Sequence, residues 1–159
     1  MMLLLILSSL LFRISLCLYE NADVVHLNAN NFDRLVTSGS DTWLVQFFSS
    51  YCPYCQNFAP NFEKAAKELK GTIKVGVVDA DEDRSLLRRY NVRGIPTVKI
   101  YHPNNPVPEN YDGPRTAEAL VEKVHAIKKS KRNKLAKSTK APGTHKTDET
   151  VKEDSDTSA

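Results

Sequence analysis

"SSYCPYCQNF", residues Ser49–Phe58, sets two cysteines two residues apart, between an apolar run and the start of a helical pattern. Upstream, "TWLVQFFS" (Thr42–Ser49) is β-branched or aromatic at both odd and even positions, the pattern of a strand buried on both faces. Gln46 is the one strongly polar side chain inside it. Downstream, Phe58, Phe62, Ala65, Ala66 and Leu69 recur at helical spacing, so a helix is predicted over Pro53–Leu69, kinked at Pro60. Cys52 therefore falls where a buried strand ends and a helix begins.

That position has chemical consequences. The unpaired N–H groups and dipole of a helix N-terminus stabilise a thiolate. Pro53 suits the first helical position, where an N–H would find no partner. Cys55, one turn on, is predicted on the same side but deeper. The spacing lets Cys52 attack a disulfide and Cys55 resolve the mixed disulfide from within. Two other uses of the pair are weaker. A structural zinc needs four ligands, and His26, His102, His125 and His145 are scattered without paired spacing. A purely structural disulfide over so short a loop would hardly restrict the unfolded chain.

The rest of the foldable chain alternates between strand and helix. "VVHL" (Val24–Leu27) reads as a short strand, and "NANNFDRLVTS" as an Asn-capped helix with Phe32, Leu35 and Val36 inward. Thr72–Ala80 and Pro96–Tyr101 read as strands, Arg84–Tyr90 as a short helix, and "ENYDG" as a further strand. Thr116–Lys129 closes the series as an amphipathic helix with Ala119, Leu120, Val124 and Ile127 inward. The fold class is α/β, a mixed central sheet flanked by helices.

Charge divides the chain of 159 residues. Leu18–Ile127 holds 12 Lys/Arg against 14 Asp/Glu and is near neutral; Lys128–Lys140 holds seven Lys/Arg and no acid; Ala141–Ala159 holds two Lys against five acids. With no aromatic residue after Tyr111, residues 131–159 read as a disordered basic-then-acidic tail, and nothing in the globular part suggests a nucleic-acid partner. "MMLLLILSSLLF" is too short an apolar run to span a bilayer, and Ser15 and Cys17 suit a cleavage site. Residues 1–17 are therefore expected to be a secretory leader, leaving a domain over 18–130, no stable membrane insertion and only Cys52 and Cys55 after cleavage.

Taken together, "WLVQFFSSYCPYCQNFAPNFEKAA", "KVGVVDADEDRSLLRRYNVRGIPTVKIY" and "YDGPRTAEALVEKV" resemble a thioredoxin-like domain of the protein disulfide isomerase family. The likeness covers roughly 18–127 and is closest to the first domain of members that begin with two such domains. It implies a thioredoxin fold, thiol–disulfide exchange on secretory client proteins, no cofactor, and an endoplasmic reticulum setting. By the same resemblance Cys52 is the nucleophile and Cys55 the resolving cysteine. Pro96 in "GIPT" matches a cis-proline that faces the cysteines, and Arg115 an arginine that lowers the resolving thiol's pKa. Tyr51, Tyr54 and Ile95 would complete a substrate groove with Pro96.

Departures from the family pattern are specific. Tyr51 stands for the usual Trp, Pro53-Tyr54 for Gly-His, Gln46 for a buried acid and Val77 for its lysine partner. Without the histidine and the acid, slower or less oxidising chemistry is expected. "CPYC" is also the glutaredoxin motif, but the strand and helix before Trp43 and the lack of a Gly-Gly pair disfavour that class; glutathione remains a candidate redox partner. The competing reading is a peptide-binding chaperone or adaptor with little turnover. Since "EDSDTSA" is not a Lys-Asp-Glu-Leu type signal, secretion stands as the alternative to residence in the reticulum lumen.

Overall fold

A computed structural model describes residues 18–19, 23–105 and 107–138, with the backbone alone for 134–138. The expected leader, 1–17, and the acidic part of the tail, 141–159, lie outside the described residues. In chain order the elements are β1 (Val25–Leu27), a single π-type turn α1 (Asp33–Thr37), β2 (Trp43–Phe48), α2 (Pro53–Glu68), β3 (Lys74–Asp79), α3 (Arg84–Arg89), β4 (Thr97–Tyr101), β5 (Glu109–Tyr111) and α4 (Ala117–Ser138).

The five strands form one sheet in the order β1-β3-β2-β4-β5. β3 runs parallel to both β1 and β2, whereas β4 is antiparallel to β2 and β5 to β4. This is the mixed α/β sheet of a thioredoxin fold. β2 lies at its centre, and all six of its residues are buried, as alternation-free hydrophobicity requires. One face carries Trp43, Val45 and Phe47, packed with Phe32, Val36, Leu86 and Tyr101. The opposite parity, Leu44, Gln46 and Phe48, faces the α2 side, where Phe48 and Phe62 both meet the ring of Tyr19 edge-on.

α2 begins with Pro53 in its first turn and runs through Pro60 as one helix. Its buried residues, Cys55, Phe58, Ala59, Phe62, Ala65 and Ala66, repeat every three or four positions. The start of α4 is held against α2 by the Ala117 N–H donating to Asn61 Oδ1 and by the exposed Lys64–Glu118 ion pair.

Two local expectations are corrected. The helix expected after β1 is instead a turn widened to π spacing, in which Ser38 N donates to the Asp33 carbonyl at 2.8 Å and the Thr37 hydroxyl to the same oxygen at 2.9 Å. Asn28 supplies the capping, its Oδ1 accepting from the N–H groups of Asn30 and Asn31. Phe32 and Val36 still reach the core. The closing helix also runs past Lys129 to Ser138, so part of the expected tail, 131–138, is helical. Its Lys, Arg, Ala and Leu residues are strong helix formers, and the sequence has no breaker before Pro142. The compact domain itself closes at His125.

Candidate active site

The end of β2 and the start of α2 deliver the cysteines as a reduced pair, Cys52 half-buried and Cys55 fully buried. Cys52 is the N-cap residue in extended conformation, and its carbonyl accepts from the N–H groups of Cys55 (3.0 Å) and Gln56 (3.1 Å). Ser49 organises the preceding loop. Its hydroxyl donates to Asp81 Oδ2 at 2.6 Å and accepts from the Tyr51 N–H, while its carbonyl accepts from the Cys52 N–H. Neither Ser49 nor Asp81 stands out in the sequence, because they are joined only by the side-by-side ends of β2 and β3.

The two thiols are driven apart. Partial desolvation works against ionisation of Cys52. Hydrogen bonds from the Cys55 thiol and from the backbone at Cys55 and Tyr54, together with the charge of Arg115, outweigh it and hold Cys52 below the ordinary thiol value. Burial pushes Cys55 the other way, to about 12; its hydrogen bond and proximity to Cys52 add to the rise, and a backbone hydrogen bond at Ser49 and the Arg115 charge offset part of it. One sulfur is a ready nucleophile and the other a stored thiol.

The predicted companions converge on this pair. The Ile95–Pro96 peptide is cis, and the Ile95 carbonyl lies 3.9 Å from Cys52 Sγ. Arg115 donates from Nη2 to the Pro96 carbonyl at 3.5 Å, tying the loop before α4 to the loop before β4. Pro53 occupies the first turn of α2, and Tyr51 and Tyr54 stand out from the surface at 86% and 69% exposure.

Beneath Cys55, Gln46 is completely buried, and its Oε1 accepts from the Tyr19 hydroxyl at 2.9 Å while its Nε2 lacks a partner among the described residues. Val77, the cross-strand neighbour of Gln46, is buried as well, so neither member of the usual acid–lysine pair is present. Burial holds the Tyr19 phenol far above its ordinary value, so it remains a neutral donor. Tyr19 was not among the residues singled out from sequence. It is an isolated aromatic in "LYENAD", and its partner lies 27 positions away.

The thioredoxin family pattern matches residues 23–126. The chain belongs to the thioredoxin family. Within this family its similarity is to protein disulfide-isomerase domains. Protein disulfide-isomerase A6 of Mesocricetus auratus is 45% identical over 106 residues, covering 66% of this chain and 24% of the relative. The Drosophila melanogaster homolog of that protein is 44% identical over 114 residues, covering 71% and 26%. The chain thus spans about a quarter of the length of these relatives. Among solved structures, the J-Trx1 fragment of ERdj5 superposes with a TM-score of 0.63 at 30% identity, over 67% of this chain and 50% of that one.

Proposed function

We propose that this thioredoxin-family chain is a thiol–disulfide oxidoreductase of the protein disulfide isomerase type, which forms, reduces or rearranges disulfides in secretory client proteins. The observation that carries the reading is the opposed pair of thiols at the head of α2, Cys52 held low and Cys55 held high. The Cys52 thiolate attacks one sulfur of a client disulfide; that bond breaks, a mixed disulfide forms, and the departing client sulfur takes a proton. The Cys55 thiol then gives up its proton and displaces the client, leaving Cys52 and Cys55 joined and the client reduced by two electrons. Oxidation of a client dithiol is the same sequence reversed. Ile95, Pro96, Tyr51 and Tyr54 line the place where the client chain would lie, and Arg115 lends its charge to both sulfurs. Residues 1–17 serve in this reading as the leader to the reticulum lumen, with secretion as the alternative destination, and 18–130 as the working domain. Glutathione is the candidate small-molecule redox partner.

The test is to express a Cys55→Ser chain in secretory cells and resolve adducts on non-reducing gels. Covalent client adducts that disappear with reductant are expected, because the first attack is retained and the second is lost. Clients held equally by a Cys52→Ser/Cys55→Ser chain would instead favour a peptide-binding module.

The direction of exchange follows from what surrounds the pair. No histidine stands between the cysteines, and Gln46 cannot titrate. A chain carrying Pro53→Gly, Tyr54→His and Gln46→Glu together is therefore expected to be more oxidising, by about 30 mV or more, which is tenfold in the equilibrium constant. Titration of both proteins in glutathione buffers measures the shift. Equal potentials together with equal client oxidation rates would sink the idea.

A further inference from the structure

Beside the active site, on the far side of Pro96, a groove of about 650 Å³ opens between the loop before β4 and the hairpin of β4 and β5. Three cations and one carboxylate line it: Arg93, Lys99 and Arg115, with Asp112. Four Lys or Arg side chains outside the groove are held in close ion pairs, Lys64–Glu118, Lys70–Asp23, Arg89–Asp33 and Lys123–Glu109. Among the described residues, none of the three cations at the groove is in such a pair. Arg93 donates to Asn91 Oδ1 at 3.3 Å, and Arg115 to the Pro96 carbonyl.

Lys99 is the informative member. It is only 6% exposed, and its ammonium donates to the neutral Asn110 Oδ1 at 2.6 Å. An ammonium carries three donors, and a buried charge is normally matched by an opposite one. Desolvation depresses the Lys99 pKa, and the charge of Asp112, which lines the same groove, counters part of that. The register explains how the lysine comes to be there. Lys99 lies opposite Val45 on one side and Asn110 on the other, one strand from the edge of the sheet, where a long side chain can bury its stem and direct its head along the hairpin.

We propose that this groove is a carboxylate-binding subsite, which selects thiol or disulfide partners carrying an acidic group close to the reacting sulfur. It deepens the thiol-exchange reading and rests on it only for the placement of that sulfur. Arg115 supplies the link, since it lines the groove and also acts electrostatically on Cys52 and Cys55. A groove of this volume takes two or three residues of extended peptide, or a molecule of glutathione, and the two sources share the same carboxylate chemistry. Lys99 and Arg93 would then give bidentate or charge-assisted contacts in a partly desolvated setting, where such bonds are stronger than in water.

The test separates binding from chemistry. Full chain carrying Cys52→Ser/Cys55→Ser is titrated calorimetrically with a ten-residue peptide that has a central serine in place of cysteine flanked by glutamates, and with its twin carrying glutamines. The acidic peptide is expected to bind about tenfold more tightly at low salt, an advantage that shrinks as salt screens it. In Lys99→Met, and independently in Arg93→Ser should the first variant fold poorly, the difference between the peptides is expected to collapse. Equal affinity for the twins, or an advantage that survives both substitutions, overturns the proposal. Displacement of the acidic peptide by glutathione at equal concentration assigns the subsite to the small carboxylate; its persistence assigns it to polypeptide. A binding preference without thiol exchange in the cysteine-intact chain would refute the oxidoreductase reading and leave the subsite standing.

Discussion

Alkylation of the reduced protein at pH 7 is expected to stop at one thiol, and in a Cys52→Ser chain to become up to about a thousandfold slower than for an ordinary exposed cysteine. The second figure follows from thiolate populations. A thiol at about 12, as burial leaves Cys55, is ionised to about one part in 100,000 at pH 7, against about one part in 100 for a thiol at 9.0. Burial of Cys55 is unaffected by the substitution and is the largest cause of its high value; loss of the neighbouring Cys52 charge relieves only smaller ones. The sign for Cys52 is opposite. Its lowered pKa means that the thiolate survives to lower pH, so labelling of the intact chain should reach half its plateau below 9.0. Intrinsic nucleophilicity falls as pKa falls, so the plateau itself is lower than for an ordinary thiol. Iodoacetamide labelling from pH 5 to 10, followed by peptide mass spectrometry, reads both sites at once. Labelling of Cys55 within tenfold of Cys52 would contradict this account. Because exchange with disulfides uses the same thiolate, catalysis should fall together with labelling in Cys52→Ser.

The largest effect on stability is expected at Tyr19. Its ring sits 4.8 Å from Phe48 and 6.0 Å from Phe62 between centroids, and its carbonyl accepts from His26 Nε2 at 2.7 Å. Truncation of a buried aromatic to Ala costs about 3–5 kcal/mol, so Tyr19→Ala should lower the melting temperature by about 12 °C or more in a domain of this size. Tyr19→Phe keeps the ring and removes the donor to Gln46, whose amide already has one buried atom without a partner. The expected cost is about 1–3 kcal/mol. Adding Gln46→Leu to Tyr19→Phe should recover much of that loss, since replacing both partners with apolar groups removes the unsatisfied atoms. Urea denaturation of the natural chain, Tyr19→Phe, Gln46→Leu and the double variant closes the cycle, with Tyr19→Ala measured alongside. A loss under about 1 kcal/mol for Tyr19→Ala would mean that residue 19 is not docked as described.

How much of this was legible beforehand depended on the range of the interaction. β2 and α2 announced themselves because their patterns are local: six consecutive residues suited to a two-faced strand, then an apolar stripe at helical spacing. The cysteines were legible for the same reason, since capping and proline preference act within one turn. Pro96 and Arg115 came from resemblance, and the fold brought them to the cysteines. Tyr19, Asp81 and Lys99 were not legible, because each depends on a partner contributed by another strand or loop. Lys99 is masked further by its context. In "PTVKIY" a lysine between apolar residues looks like the solvent-facing position of a strand, and only pairing with β5 turns that position into the wall of a groove. The end of α4 is not legible because its composition, basic and without aromatics, reads as an unstructured tail, whereas the helix propensity of its Lys, Arg, Ala and Leu residues carries the helix to Ser138.

The sheet ends on each side in a strand of only three residues, β1 and β5. An edge strand offers its free N–H and C=O groups to any extended chain that comes alongside, and a short one offers very few. If its clients are the unfolded secretory proteins proposed above, with their own strands not yet paired, the chain would meet that hazard at every encounter. Under the proposed function, such brief edges would leave a client to be held through sulfur and released by exchange, with little backbone on offer to recruit it as a sixth strand.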